Sequence, residues 1–263
     1  MSDASAFAAF VAPWRQAVPA LALAEAFASA GDRDALLARV VLLFECCDAV
    51  WRVSEAQVGL AKLGWWAEEW SLIRSGRSLH PLAAALRVQS ATAPLLRLGQ
   101  ELETATVADA YARWLAYEAI ADEFARGFYA EDSLPFAGFR HLAELLVISR
   151  HRFALRQGRS LAVLALPRDW RARLQLPGDA EALASAHAAA AIKDADFRLA
   201  EYASERLGQA AAALPALTWS GQRGARVLAA LALRELENPG SNWVLARIGD
   251  LIRAWRVARE TVA

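Results

Sequence analysis

The segment over residues 63–73 most constrains the fold, because its large apolar side chains recur at helical spacing. The recurring residues are Leu63, Trp66, Trp70 and Ile73. Steps of three and four residues place them on one face of an α-helix. The pattern ends before Gly76, and Pro81 follows shortly after. The sequence therefore predicts a helix that Ser54 caps and that runs to Arg74, then a glycine stop, and a second helix that opens at Pro81.

The rest of the chain also predicts helices. Alanine, leucine, arginine and glutamate dominate and favour helices, whereas alternating runs of Val, Ile and Thr are scarce. Breakers and caps predict helices over about 33–53, 81–98, 107–130, 135–156 and 179–215, and two more after Ser220 and Ser241. Pro13 and Pro19 are expected to interrupt an N-terminal helical region, and the apolar segment 167–178 predicts a packed loop. We therefore expect a single all-α domain over residues 1–263.

Composition excludes several classes of protein. A chain of 263 residues that is 56% hydrophobic can bury a large core, and its formal net charge of zero provides no basic field for nucleic acid. No run of about 18 uncharged apolar residues predicts a membrane span. The start of the chain lacks the basic region of a signal peptide, and the adjacent Cys46 and Cys47 predict reduced thiols. We expect a cytoplasmic protein with at most peripheral contact with the inner membrane.

Three segments together resemble one known family. Residues 63–82, with Trp65, Trp66 and Trp70 before the glycine stop, resemble the second and third helices of the squalene/phytoene synthase family, which joins prenyl diphosphates head to head. Leu166 and Pro167 are similar to the Leu-Pro element after the family's second metal-binding helix, and residues 242–251 are similar to its closing helix. The resemblance implies the all-α isoprenoid synthase fold, a single antiparallel helical bundle around a central cavity.

The family's chemistry requires carboxylates. Ionising an allylic diphosphate expels a leaving group with roughly three negative charges, which Mg²⁺ neutralises as a Lewis acid, and Mg²⁺ prefers oxygen ligands. Active members carry two aspartate pairs on facing helices. Glu45 and Asp48 stand where the first pair belongs, but Trp51 and Arg52 replace further carboxylates. These residues form either a weakened metal site or a partly buried acidic pair matched by Arg52 or a neighbouring helix.

The second pair is depleted as well. The helix before Leu166 presents Glu144 as its acidic residue near the expected position, and Arg150 and Arg152 follow it. Because arginine forks match phosphate oxygens, Arg52, Arg150 and Arg152 are candidate diphosphate ligands. The alternative for Arg150 and Arg152 is a solvated basic face.

A further acidic pair offers a substitute metal site. Glu118 and Asp122 are four residues apart on the helix that lines the cavity in the family. They are candidate Mg²⁺ ligands together with Glu45 and Asp48. The alternative is a set of surface salt bridges, for example with Arg126.

Other catalytic patterns are weak. The four histidines have no HxxxH or HExxH spacing, and the sequence has no glycine-rich phosphate loop and no GxSxG motif. His80, before Pro81, is expected to close a turn or cap a helix. Tyr111 and Tyr117 are expected to pack in the core. Catalytic residues therefore stay unassigned.

Three functions remain in competition. The depleted motifs favour a catalytically impaired or inactive squalene/phytoene synthase-like protein that binds a prenyl diphosphate or lipid, or a protein partner in an assembly role, with no cofactor. The alternative is an active Mg²⁺-dependent prenyltransferase of squalene, carotenoid or hopanoid-type isoprenoid biosynthesis. The third is an unrelated helical interaction module, in which the tryptophans are ordinary core.

Overall fold

All regular secondary structure in the described part of the chain is helical, as predicted. The computed structural model describes residues 3–86, 98–100, 109–176, 186–213 and 223–237, together with 254, 256 and 257. The helices are α1 (Asp3–Ala17), α2 (Pro19–Phe27), α3 (Arg33–Trp51), α4 (Ala56–Arg74), α5 (Ala110–Arg126), α6 (Leu134–Arg156), α7 (Ser160–Leu164), α8 (Arg168–Arg173), α9 (Ala186–Ala213) and α10 (Arg223–Glu237).

Helix α3 is central to the hydrophobic core. It packs against α1, α2, α4, α6, α7 and α10, so apolar residues surround its axis on nearly every side. In its C-terminal half, two side chains remain partly exposed, Glu45 and Asp48. They lie three residues apart and therefore on one face. This face marks the place where the packing around α3 opens towards solvent.

Three aromatic side chains occupy the interior where α3, α5 and α6 meet. Trp51 stacks on His151 with ring centroids 4.8 Å apart, and the Tyr117 hydroxyl lies 2.5 Å from His151 Nδ1. His151 Nε2 lies 2.7 Å from the carbonyl oxygen of Ala162 in α7. Burial lowers the pKa of His151 to about 3, so this ring is neutral at physiological pH. Side chains rather than open space therefore fill this part of the interior, and Tyr117 packs in the core as predicted.

A hydrogen-bonded turn follows α4. Gly76 has a φ of +69°, the left-handed conformation that ends the helix as the sequence predicts. The Ser78 hydroxyl donates to the buried Glu69 carboxylate and accepts from the His80 backbone N–H at 3.0 Å. His80 Nδ1 accepts from the Leu82 backbone N–H at 3.2 Å. The prediction that His80 closes a turn is therefore confirmed.

Several predicted boundaries are wrong. Residues 81–85 form turns, not the start of a helix. Glu55, not Ser54, precedes α4 as its N-cap. Pro13 lies inside α1 instead of interrupting it, and residues 168–173 of the predicted loop form α8, which buries Trp170. Tyr111 is exposed, not packed in the core. The helix starts expected at Ser220 and Ser241, and the landmark over 242–251, lie outside the described residues.

No helix in the described ranges is both long enough and apolar enough to span a bilayer.

Candidate functional site

A pocket of about 400 Å³ lies where α1, α3 and α4 meet. It opens beside the partly exposed face of α3. Its lining residues are Pro13, Trp14, Ala17, Glu45, Asp48, Arg52, Val53 and Lys62. The lining combines apolar side chains with two carboxylates and two cations. A pocket of this size falls in the lower range of small-molecule sites.

Asp48 forms ion pairs through both of its carboxylate oxygens. Arg52, one turn later at the C-cap of α3, donates from Nη1 to Oδ2 at 2.7 Å. Arg150 of α6 donates from Nε to Oδ1 at 3.1 Å, and its Nη2 contacts the same oxygen. This is the arrangement that the ion-pair alternative predicts, with one cation on the same helix and one on a neighbour.

Arg150 is held among aromatic rings. Its guanidinium lies 5.2 Å from the ring centroid of Trp14, 5.1 Å from that of Phe44 and 4.7 Å from that of Phe153. The side chain is only 4% exposed. At these distances the rings attract the cation through their quadrupoles. Arg150 therefore holds Asp48 from below the pocket surface, and little of it reaches solvent.

Glu45 is the second carboxylate of the pocket. Its Oε1 accepts a hydrogen bond of 3.0 Å from Trp14 Nε1, which ties α1 to α3. Burial raises the pKa of Glu45, whereas the Trp14 hydrogen bond and the charges of Lys62 and Arg150 lower it in part. Lys62 reaches the same pocket from α4. Three cations therefore face two carboxylates in and beneath this pocket.

Arg152 lies elsewhere. It is two residues from Arg150 on α6, so the two side chains point to different sides of the helix. Arg152 donates from Nε to Asp196 Oδ1 at 2.9 Å, and Arg156 donates to Oδ2 of the same aspartate at 2.9 Å. Arg152 is only 2% exposed. Of the three candidate diphosphate ligands, the structure thus brings Arg52 and Arg150 together and leaves Arg152 in a buried pair with α9.

Glu118 and Asp122 line a different pocket, between α5 and α6. This second pocket also contains Glu131 and Arg140 and has a volume of about 590 Å³. Glu118 accepts from Trp114 Nε1. Asp122 pairs with Arg126 and, at 3.3 Å, with Arg140. These are the salt bridges that the alternative interpretation predicts for this helix.

The four candidate metal ligands are consequently divided between two pockets. Among the residues that the structure describes, no group of three or more His, Cys, Asp or Glu side chains is placed to hold a metal ion. Glu45 and Asp48 therefore do not line the same pocket as Glu118 and Asp122.

The sequence does not predict that two of the lining residues belong to this pocket. Trp14 and Lys62 come from α1 and α4, and nothing in their local sequence connects them to Glu45. Conversely, the divergence of Arg150 and Arg152 follows from helical geometry, since residues two apart do not share a face.

No protein-family model matches the chain, and no curated protein matches its sequence. The resemblance to the squalene/phytoene synthase family therefore stays a prediction that rests on the sequence segments quoted above.

Proposed function

We propose that this chain is a catalytically inactive, squalene/phytoene synthase-like protein that binds a prenyl diphosphate or lipid anion in the pocket beside α3. The observation that carries the proposal is the state of Asp48. Both of its oxygens are engaged by arginines, so the carboxylate nearest to the family's first metal motif already has its counter-charge in the protein.

The donor set does not suit Mg²⁺. To coordinate the ion, Asp48 would have to release Arg150, whose charge is enclosed by aromatic rings and would lose its anionic partner. Leaving such a buried cation unpaired costs several kcal/mol. Arg150, Arg52 and Lys62 would in addition repel an incoming divalent cation. The proposal therefore includes no Mg²⁺-dependent ionisation of a diphosphate at this pocket.

The same charges favour an anion. Arg52 is 37% exposed and Lys62 is exposed, so both can donate to an incoming phosphate or carboxylate oxygen. Pro13, Ala17 and Val53 provide the apolar surface that an isoprenoid or acyl chain would cover. The site thus combines a cationic anchor with an apolar wall, which is the chemistry of an amphiphilic anion.

Calorimetric titration with a non-hydrolysable farnesyl diphosphate analogue, with and without Mg²⁺, tests the proposal. We expect binding that does not require the metal. Lys62→Met should weaken it by about tenfold or more, the value of a charge-assisted hydrogen bond. Lys193→Met is the matched control, because Lys193 is the other lysine of the chain and is exposed on α9. This variant should bind the analogue with the same affinity as the wild type.

Two results would contradict the proposal. Binding that requires Mg²⁺, together with release of diphosphate from authentic substrate, would support an active prenyltransferase. An absence of binding in both conditions would move the function to assembly with a protein partner.

A further inference from the structure

Large apolar side chains are exposed along α4 and on the turn that follows it. Leu79 is 100% exposed, Trp65 is 48% exposed and Val58 is 45% exposed. Val58 and Trp65 are seven residues apart and therefore lie on one stripe of α4. Trp65 is in edge contact with His80, with ring centroids 5.8 Å apart, and His80 follows Leu79 directly. Trp65 and Leu79 thus belong to one surface, which we call the α4 turn surface.

The exposure of Leu79 is fixed by the structure around it. The backbone N–H groups of Arg77 and Ser78 both donate to the Leu72 carbonyl, at 2.9 and 3.2 Å. Ser78 is further held by Glu69, and the His80 ring lies against Phe10, Trp65 and Trp66. Residues on both sides of Leu79 are therefore anchored, and the turn holds an apolar side chain away from the protein.

Cations accompany this apolar tip. Arg77 is exposed on the turn itself, and Arg74 is exposed at the last residue of α4, on the side of the helix opposite Trp65. Glu69, the acid closest to the turn in sequence, is buried and hydrogen-bonded to Ser78; Glu68 remains exposed on α4. Leucine and tryptophan beside arginines are the composition with which proteins meet a membrane interface, where the arginines face anionic headgroups.

We propose that the α4 turn surface docks on an anionic lipid bilayer, with Leu79 and Trp65 inserted at the headgroup boundary and Arg77 against lipid phosphates. The apolar tip and the adjacent positive charge complement the two layers of such a surface. This docking is separate from ligand binding in the pocket beside α3, and it requires no ligand.

Flotation with vesicles of phosphatidylcholine alone, and with added phosphatidylglycerol, tests the docking. We expect the wild-type chain to bind the anionic vesicles more strongly. Leu79→Ser should lower the partition coefficient by about tenfold through lost apolar burial. Arg77→Gln should lower it by about fivefold on the anionic vesicles alone.

Two matched controls come from other helices. Phe197→Ser removes an apolar side chain that is 48% exposed on α9, and Arg168→Gln removes an exposed charge on α8. Both should bind vesicles as the wild type does, and circular dichroism should find all variants folded, because none of the side chains is buried. Failure of the wild type to bind anionic vesicles would overturn the proposal, as would equal losses for Leu79→Ser and Phe197→Ser.

Discussion

The most informative perturbation is Arg150→Met, which removes a buried cation while keeping an apolar stem of similar length. Asp48 would then keep Arg52 as its partner but lose the α6 side of its ion pair. Removing one member of a buried pair typically costs 3–5 kcal/mol. Because Asp48 is 15% exposed and retains one arginine, we expect a loss of about 3 kcal/mol in the free energy of unfolding.

Arg52→Met is the matched comparison. Arg52 pairs with the same carboxylate but is 37% exposed and lies on the same helix. Exposed pairs of this kind contribute about 0.5 kcal/mol. Each substitution therefore removes one guanidinium group that pairs with Asp48. Because the two groups differ in burial, we expect a severalfold difference in the free energy of unfolding that each substitution costs.

Urea denaturation followed by circular dichroism measures Arg150→Met, Arg52→Met, Asp48→Asn and the double variant Asp48→Asn/Arg150→Met. We expect the loss of stability in the double variant to be smaller than the sum of the losses in Asp48→Asn and Arg150→Met by about 1 kcal/mol or more, because the double variant leaves no buried charge unpaired. Equal effects of Arg150→Met and Arg52→Met, or strictly additive single changes, would refute the reasoning that Arg150 neutralises Asp48 in the interior.

Three further predictions concern stability and reactivity. Burial holds the pKa of His151 at about 3, so the unfolded state binds a proton first as the pH falls below about 6.5. The free energy of unfolding of the wild type, measured by urea titration, should therefore fall relative to that of His151→Gln. The expected fall is about 1.4 kcal/mol per pH unit down to about pH 3. Gly224→Ala would place a methyl group 2.7 Å from a backbone oxygen of α2 and should lower the free energy of unfolding by about 1–3 kcal/mol. Gly64→Ala places its methyl group in open space and should raise it by up to about 1 kcal/mol. Thermal unfolding measures both variants, and equal effects would contradict this reasoning. Burial raises the pKa of the Cys46 and Cys47 thiols, so a thiol reagent should label them only as fast as the protein unfolds.

The sequence predicts the long helices best. The bounds of α3 and α6 are close to the expected ones because apolar periodicity persists over many turns and breakers flank both segments. The preferences of single residues predict the ends of the helices less well. Pro13 is tolerated inside α1, and Ser54 loses the cap position to Glu55, since tertiary packing outweighs preferences worth about 1 kcal/mol.

The candidate site was predictable only in its local part. Glu45, Asp48 and Arg52 share one face of α3, which their spacing along a helix predicts. The partners from other helices are not encoded in spacing. Arg150 joins Asp48 across 102 residues, and Trp14 joins Glu45 across 31. Such pairings depend on how whole helices dock against each other, and the residues next to Glu45 and Asp48 in the sequence do not determine that docking.

The two arginines on Asp48 also differ in when they become available during synthesis. Arg52 follows Asp48 by four residues, so the nascent chain can form that pair as soon as this turn of α3 forms. Arg150 follows by 102 residues, which corresponds to about 5–20 s at ordinary translation rates. Arg52 can thus serve as an early counterion for a carboxylate whose second, buried partner has not yet been made. The lining of the pocket, over residues 13–62, is therefore synthesised before the buried cation beneath it.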